Sequence, residues 1–262
     1  LSIQSASGGP DQTGVNAWHT NEAARRLLGA GGQDLDALSQ AARQTGFRAV
    51  PLGLRASMSI DQAIRTAASR NVVGILPGTT RRDEYVLYTA HWDHLGLCRE
   101  EGEDRICDGA VDNATGTAAL VALAEAHARA GSPERSIVFV AVTAEESGLL
   151  GSAYYAANPI YPLARTAGGI NIDSLTMHGD ARDFYAVGAG KSELHAYLQR
   201  AARAENLVLP PESTPQAGYY YRSDHFSMAK LGVPMVYAKL GPDLVTGGRA
   251  AGDAWQTEYR AN

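Results

Sequence analysis

From Asn71 onward the sequence alternates two kinds of segment, short apolar runs and longer stretches with helical spacing. The apolar runs are NVVGILPG, EYVLYTAHWD, RSIVFVAVTA, GGINIDS, DFYAVGAG and VPMVYAKLG. Between them lie GTAALVALAEAHARAG, GLLGSAYYAANP, KSELHAYLQRAARAEN and SDHFSMAKLG. Short buried strands interleaved with helices predict an α/β fold, a mostly parallel central sheet sandwiched by helices. Such sheets gather ligands at the carboxyl ends of their strands, where loops run into helix starts.

Those strand ends carry the chemically interesting residues. His91 and Asp93 close YVLYTA, Glu145 and Glu146 close SIVFVAVTA, and Asp173 closes GGINI. Asp112 lies in DGAVDNATG, just ahead of a helix. One acid at a strand end is ordinary, whereas four clusters on one sheet edge are poorly explained as solvated surface. Histidine and carboxylates are the donors that zinc, manganese or cobalt prefer, and neither cysteine belongs to the set. Within HWDH, strand alternation puts Asp93 on the side of His91, where its carboxylate is expected to fix the imidazole tautomer. By the same parity His94 is expected to point away and to be structural. The adjacent glutamates diverge in direction, so one can bind metal while its neighbour acts as a base on a water. Two like charges side by side make sense with cations nearby; otherwise one of them is expected to be protonated or turned to solvent.

The 262 residues carry a formal net charge of -5 and no Lys/Arg stripe, which argues against nucleic acid as a partner. No apolar run approaches the roughly 20 residues that span a bilayer. Residues 1–68 read as a separate region, with two short helices in NEAARRLLGAGG and DLDALSQAARQTG followed by an extended FRAVPLGLRASMSI. This region shows no catalytic constellation, and Trp18 and His19 read as local packing. Residues 69–262 read as the catalytic domain. Cys98 and Cys107 flank a polar hairpin tip, and a disulfide or two free thiols are both open readings. A disulfide would suit an oxidising compartment. Because residue 1 is Leu, the chain is expected to begin inside a longer precursor, and a periplasmic or secreted location is expected.

The blocks AHWDHLG, DGAVDNATGTAALVALAEA, TAEESGLLGS, NIDS and YYYRSDHFSMAKLGVP, in this order, resemble the co-catalytic di-zinc aminopeptidases. That family includes bacterial leucyl aminopeptidases and glutamate carboxypeptidase II. The resemblance covers residues 71 to about 240 and implies a zinc exopeptidase acting on peptides, most simply an aminopeptidase. It implies that His91 and Asp173 bind one zinc, that Asp112 bridges two, that Glu146 binds the second, and that Glu145 is the general base; Asp93, read above as orienting His91, is counted with Glu145 in the catalytic set. It also implies a cis peptide bond after Asp112. The first 68 residues resemble the trailing part of a protease-associated domain.

The family's remaining histidine ligand would follow a stretch like DAWQTEYRAN, so this chain is expected to supply four of five protein ligands. Two zinc ions, one or none are therefore all open. His225 belongs to the RSDH block, and Tyr220, Tyr221, Asp224 and His225 are expected on the substrate side, with a tyrosine hydroxyl as oxyanion donor. His127, His178 and His195 read as packing or surface residues. No arginine pair dictates an acidic substrate, so a free peptide N-terminus with an apolar or broad first residue is expected. The alternatives are a glutaminyl cyclase-like transferase using one zinc, and a homologue that keeps the fold without catalysis.

Overall fold

The computed structural model describes residues 19–261 apart from 60, 62, 64–65, 99–101, 176 and 213–214. The described residues fall into two compact units that divide between Ala67 and Ala68. The smaller holds α1 (Asn21–Ala30) and α2 (Leu35–Ala41). Each starts on a side-chain cap: Thr20 Oγ1 accepts from the Ala23 amide at 3.2 Å, and Asp34 Oδ1 from the Ala37 amide at 2.8 Å. Arg25 grips the Asp36 carboxylate through two 2.8 Å bonds, tying one helix to the other. Neither helix buries a residue. The segment expected to be extended after them forms no strand among its described residues.

The larger unit is the α/β fold that the alternating pattern predicts. Its elements run β1 (Val72–Leu76), β2 (Arg81–His91), β3 (Gly96–Leu97), β4 (Ile106–Cys107), α3 (Thr115–Ala130), β5 (Arg135–Val142), α4 (Leu150–Ala157) and β6 (Thr166–Asn171). There follow β7 (Phe184–Val187), α5 (Leu194–Ala204), α6 (His225–Ala229), β8 (Met235–Leu240) and α7 (Gly248–Ala261). The main sheet has the order β1-β5-β2-β6-β8-β7. Strands β5, β2, β6 and β8 are parallel to one another, and antiparallel β1 and β7 close the two edges. Strands β3 and β4 form a separate two-stranded ribbon, joined by a Cys98–Cys107 disulfide. The structure thus selects the disulfide over free thiols.

Strand periodicity sorts the core into two layers. Val138, Val140 and Val142 of β5 join Leu87 of β2 in a cluster with Tyr155 and Ala156 of α4 and Met228 of α6. The intervening Ile137 and Phe139 join Ala90 in a second cluster with Leu120 of α3, on the opposite face. A strand buried on both faces has no solvated side to alternate with, hence the nearly unbroken apolar run SIVFVAV. Ser136, the polar residue at its buried start, is satisfied on both sides: its hydroxyl donates to Arg82 O at 2.7 Å and accepts from the Gly78 amide at 2.9 Å.

Candidate metal centre

Strand β2 ends on His91, whose side chain is 1% exposed. Its Nδ1 lies 3.0 Å from the Asp93 main-chain oxygen. A carbonyl only accepts, so Nδ1 carries the proton and Nε2 is left as the free donor atom. The expected role of Asp93 is thereby corrected in detail. Its main chain fixes the His91 tautomer, while its carboxylate stands 3.8 Å from Nδ1 and instead accepts the Glu145 amide at 3.1 Å.

His91 Nε2 faces Asp112 Oδ1 at 3.0 Å and Asp173 Oδ1 at 3.7 Å. Asp112 sits in a turn after the left-handed Gly109, and its peptide bond to Asn113 is cis, as the family resemblance implies. Asn113 is buried and pins this turn to the end of β6. Its Nδ2 donates to Ile172 O at 3.0 Å, and its Oδ1 accepts the Gly116 and Ser174 amides at 2.9 and 3.2 Å. Helix α3 starts so close to β6 that a Cβ at Gly116 would stand 2.6 Å from Ile172 O. Only glycine fits that approach.

Asp173 is anchored by two hydroxyls, Ser174 Oγ at 2.9 Å on Oδ1 and Ser223 Oγ at 2.6 Å on Oδ2. Ser223 in turn accepts from Asn171 Nδ2 at 2.7 Å, and Asn171 Oδ1 accepts from Thr89 Oγ1 at 2.6 Å. Tyr237 adds a hydroxyl contact to Asp173 O at 3.4 Å. Burial alone would raise the Asp173 pKa, but His91 and the two hydroxyls outweigh it and hold the carboxyl below its usual range. Ser223 and Tyr237 were not singled out by sequence reasoning, since only the folded chain brings them to Asp173.

After β5 the chain makes a tight turn in which Ala144 (φ 54°) and Leu149 (φ 61°) both adopt the left-handed region. Leu149 N bonds back to Glu145 O at 2.8 Å, and Gly151 N to Thr143 O at 2.9 Å. Burial and the nearby Asp224 push the Glu145 carboxyl up to about 8, with His91 opposing. Burial and Asp112 likewise raise Glu146, whose Oε1 lies 2.7 Å from His94 Nδ1.

This contact corrects the expectation that His94 points away. Strand β2 stops at His91, so two-residue parity no longer governs the following residues, and His94 turns back to the glutamate. Two donor clusters result, His91 with Asp112 and Asp173, and His94 with Asp112 and Glu146. They share Asp112.

The substrate-side expectations divide. Tyr220 and Tyr221 occupy a single helical turn, Tyr219–Tyr221, and line a cleft of about 350 Å³ with Gly188, Lys191 and Glu212. The Lys191 ammonium lies 4.7 Å from the Tyr220 ring centre. Asp224 and His225, by contrast, are fully buried where α6 packs against α4 and β8, which removes them from a substrate surface. His225 lies edge-on to Tyr220 at 4.8 Å, and neither ring nitrogen has a hydrogen-bond partner. Burial pushes its pKa down to about 4, and the same cause pushes Asp224 up to about 7. His225 joins neither donor cluster. Tyr259 of α7, which sequence reasoning also passed over, has its pKa raised by burial and by the charges of Asp112, Asp173 and Glu146, so the helix end lies within electrostatic range of the centre.

The first cluster fits a small divalent cation. His91 Nε2 and Asp112 Oδ1 are buried and face each other at 3.0 Å without the alignment of a good hydrogen bond, although polar groups so buried are rarely left unsatisfied. Tetrahedral zinc with bonds of 2.0–2.2 Å separates its donors by about 3.3–3.6 Å, and the separations of 3.0 and 3.7 Å straddle that range. Burial disfavours a charged His91, yet the carboxylates of Asp112 and Asp173 prevail and push its pKa up to about 11. The pocket asks for positive charge, and a proton on the imidazole is the substitute for a metal.

Comparison with known proteins agrees with this geometry. The profile of peptidase family M28 matches residues 71–260. Aminopeptidase NAALADL1 of Mus musculus is 33% identical over 129 residues, 47% of this chain and 16% of that one. Aminopeptidase YwaD of Bacillus subtilis is 27% identical over 175 residues, 66% of this chain and 36% of that one. The chain thus spans well under half the length of these relatives. Among solved structures, the zinc aminopeptidase BSAP from Bacillus subtilis superposes with a TM-score of 0.52 at 23% identity, over 65% of this chain and 40% of that one. A glutaminyl cyclase from an Acidobacteriales bacterium gives 0.50 at 22% identity, over 70% and 62%. At such identities the structural likeness establishes the fold. The family profile covers nearly the whole α/β unit together with every residue of the two donor clusters, and the chain belongs to peptidase family M28.

Proposed function

We propose that this chain carries the catalytic unit of a zinc-dependent exopeptidase, an aminopeptidase that removes N-terminal residues from peptides. The observation that carries this reading is the meeting of two imidazole–carboxylate clusters at Asp112, with Glu145 beside Glu146. His91, Asp112 and Asp173 would hold one zinc, and Asp112 with Glu146 a second. Zinc bound there would supply Lewis acidity to the scissile carbonyl and to the attacking water.

The chain's own groups do the rest. Glu145 accepts the proton of the attacking water and returns it to the leaving amine. Its carboxyl, pushed up to about 8 without cations, becomes a usable base at neutral pH once positive charge enters the centre. The Asp93 carboxylate holds the Glu145 amide and so steadies the turn that presents the base. The tyrosine-lined cleft supports a role for Tyr220 and Tyr221 in seating the peptide, with a hydroxyl as oxyanion donor. A free N-terminus next to an apolar or broad first residue remains the proposed substrate. The Cys98–Cys107 disulfide supports a secreted or periplasmic setting. Among the described residues no helix is long and apolar enough to cross a membrane. Residues 1–68, which include the two capped helices, are read as the remnant of a protease-associated-type domain.

The test is hydrolysis of aminoacyl-p-nitroanilides by zinc-loaded protein. Glu145→Gln is expected to lower kcat by roughly 10²–10⁴-fold while zinc content stays unchanged. A variant that keeps full activity, or a wild-type protein that takes up no zinc, sinks the reading.

A further inference from the structure

His94 is the group in the centre that the sequence patterns leave without a role. We propose that His94 is a direct nitrogen ligand of the second cation position, completing the donor set with Asp112 and Glu146. The proposal rests on the metallopeptidase reading above and adds a ligand that the motif resemblance does not supply.

Three observations carry it. First, the donor atoms of His94, Asp112 and Glu146 all lie within 4.8 Å of one another, and among the described residues no other imidazole reaches this cluster. His94 Nδ1 and Glu146 Oε1 are 2.7 Å apart. Two ligands of a tetrahedral zinc stand about 3.3 Å apart, so an entering ion needs this pair to part by only about 0.6 Å. The contact has the form of a ligand pair closed around a proton where an ion belongs.

Second, His94 is pressed into place by main chain. Gly109 is left-handed at φ +66°, and a Cβ there would stand 2.6 Å from His94 Cβ and 2.7 Å from Cγ. The loop that carries Asp112 therefore closes on the base of this imidazole, setting the two donors against each other before any ion arrives. Third, the ribbon of β3 and β4, which lies between His94 and Gly109 in the chain, is shut by the Cys98–Cys107 disulfide with its Cα atoms 5.9 Å apart. The two ends of the ribbon cannot drift apart. A side chain with a merely structural duty on an exposed loop would not need such close confinement.

The side chains of His94 and Glu146 are 22% and 21% exposed, against 1% for His91. The second position is thus open to water and substrate, while the first is enclosed. Among the described residues this position has one nitrogen and two carboxylates, a set that does not by itself fill the shell of a zinc ion.

The test titrates zinc into chelator-stripped protein, with bound metal counted by elemental analysis and affinity read from competition with a chromophoric chelator. The variants are His94→Ala, His94→Gln and His91→Ala, each checked for an unchanged far-ultraviolet circular dichroism spectrum. The expected result is two ions in the wild-type protein. In His94→Ala the second ion is weakened at least 100-fold, and in His91→Ala the first. Glutamine keeps a hydrogen bond to Glu146 but is a poor zinc ligand, so His94→Gln should behave like alanine. Two ions held within threefold of wild-type affinity in His94→Ala, or full rescue by glutamine, overturn the ligand assignment and leave the enzyme reading standing. A wild-type protein with one ion that His94→Ala does not disturb overturns it as well. A wild-type protein that binds no zinc overturns both.

Discussion

At the scale of single residues, burial moves the pKa values of several groups around the centre away from their ordinary values. His225 is the clearest case outside the donor clusters. It is buried between Tyr220 and Tyr237 with both ring nitrogens unpaired, and its pKa falls from 6.5 to about 4. Between those two values the unfolded chain takes up the proton and the folded chain does not, so stability from this group is complete above pH 6.5 and is lost as pH falls towards 4. Its neighbour Asp224 works in the opposite sense. With a pKa raised to about 7, it favours the folded chain most at low pH, and that contribution is lost as pH rises through 7. The two partly cancel in the wild-type protein, so a variant is needed to separate them. Urea unfolding of metal-free wild type and His225→Phe at pH 7 and pH 5 should show their stability difference moving by about 2 kcal/mol, in favour of the variant at the lower pH. A difference that does not move with pH would mean that the imidazole is charged inside the fold.

At the scale of elements, the sheet sets the positions of two donors of the first cluster. His91 and Asp173 follow from where β2 and β6 stop, and these strands are paired in parallel register with Thr89 opposite Asn171. Packing under that register should therefore matter more than helix surface. Leu87 of β2 is 2% exposed and Val121 of α3 is 67% exposed. Leu87→Ala is expected to cost about 2–5 kcal/mol, and Val121→Ala to stay within about 0.5 kcal/mol, in chemical denaturation.

The strands were legible in the sequence because a run such as SIVFVAV has no other stable use in a chain of this kind, and His91, Asp112 and Asp173 were legible because they sit at or beside strand ends. His94 was misread because the alternation rule was carried three residues past the end of β2, into a loop where it has no force. Asp224 and His225 were misread for a different reason. Their motif suggested a surface role, and only the packing of α6 on α4 and β8 shows that they are sealed in. Thr89, Asn171 and Ser223 escaped notice because a buried hydroxyl or amide has no pattern of its own until its partners are known.

At the scale of the whole molecule, the disulfide and the division into two units set how the protein depends on its surroundings. The Cys98–Cys107 bridge closes a short loop, and in the chain-entropy account such a closure is worth about 2–3 kcal/mol. Reduction should lower the stability of the metal-free protein by about that amount, measured by denaturation with and without a thiol reductant. A Cys98→Ser/Cys107→Ser variant should match the reduced protein and be indifferent to reductant. An unchanged wild-type midpoint after complete reduction would show that the ribbon holds its shape without the bond.

The line of buried hydrogen bonds from Thr89 through Asn171 and Ser223 to Asp173 runs from β2 over β6 to the segment ahead of α6 and back to the end of β6. Ser223 directly follows the tyrosine turn and its Arg222, so one buried hydroxyl ties the segment that carries Tyr220 and Tyr221 to a donor of the first cluster. Occupancy of the two places then becomes a single thermodynamic account. A ligand in the cleft that shifts the turn would disturb the hold on Asp173, and a cation held by Asp173 would then change that ligand's affinity by the same factor. Under that coupling, a ligand of the cleft would respond to a cation that it never touches.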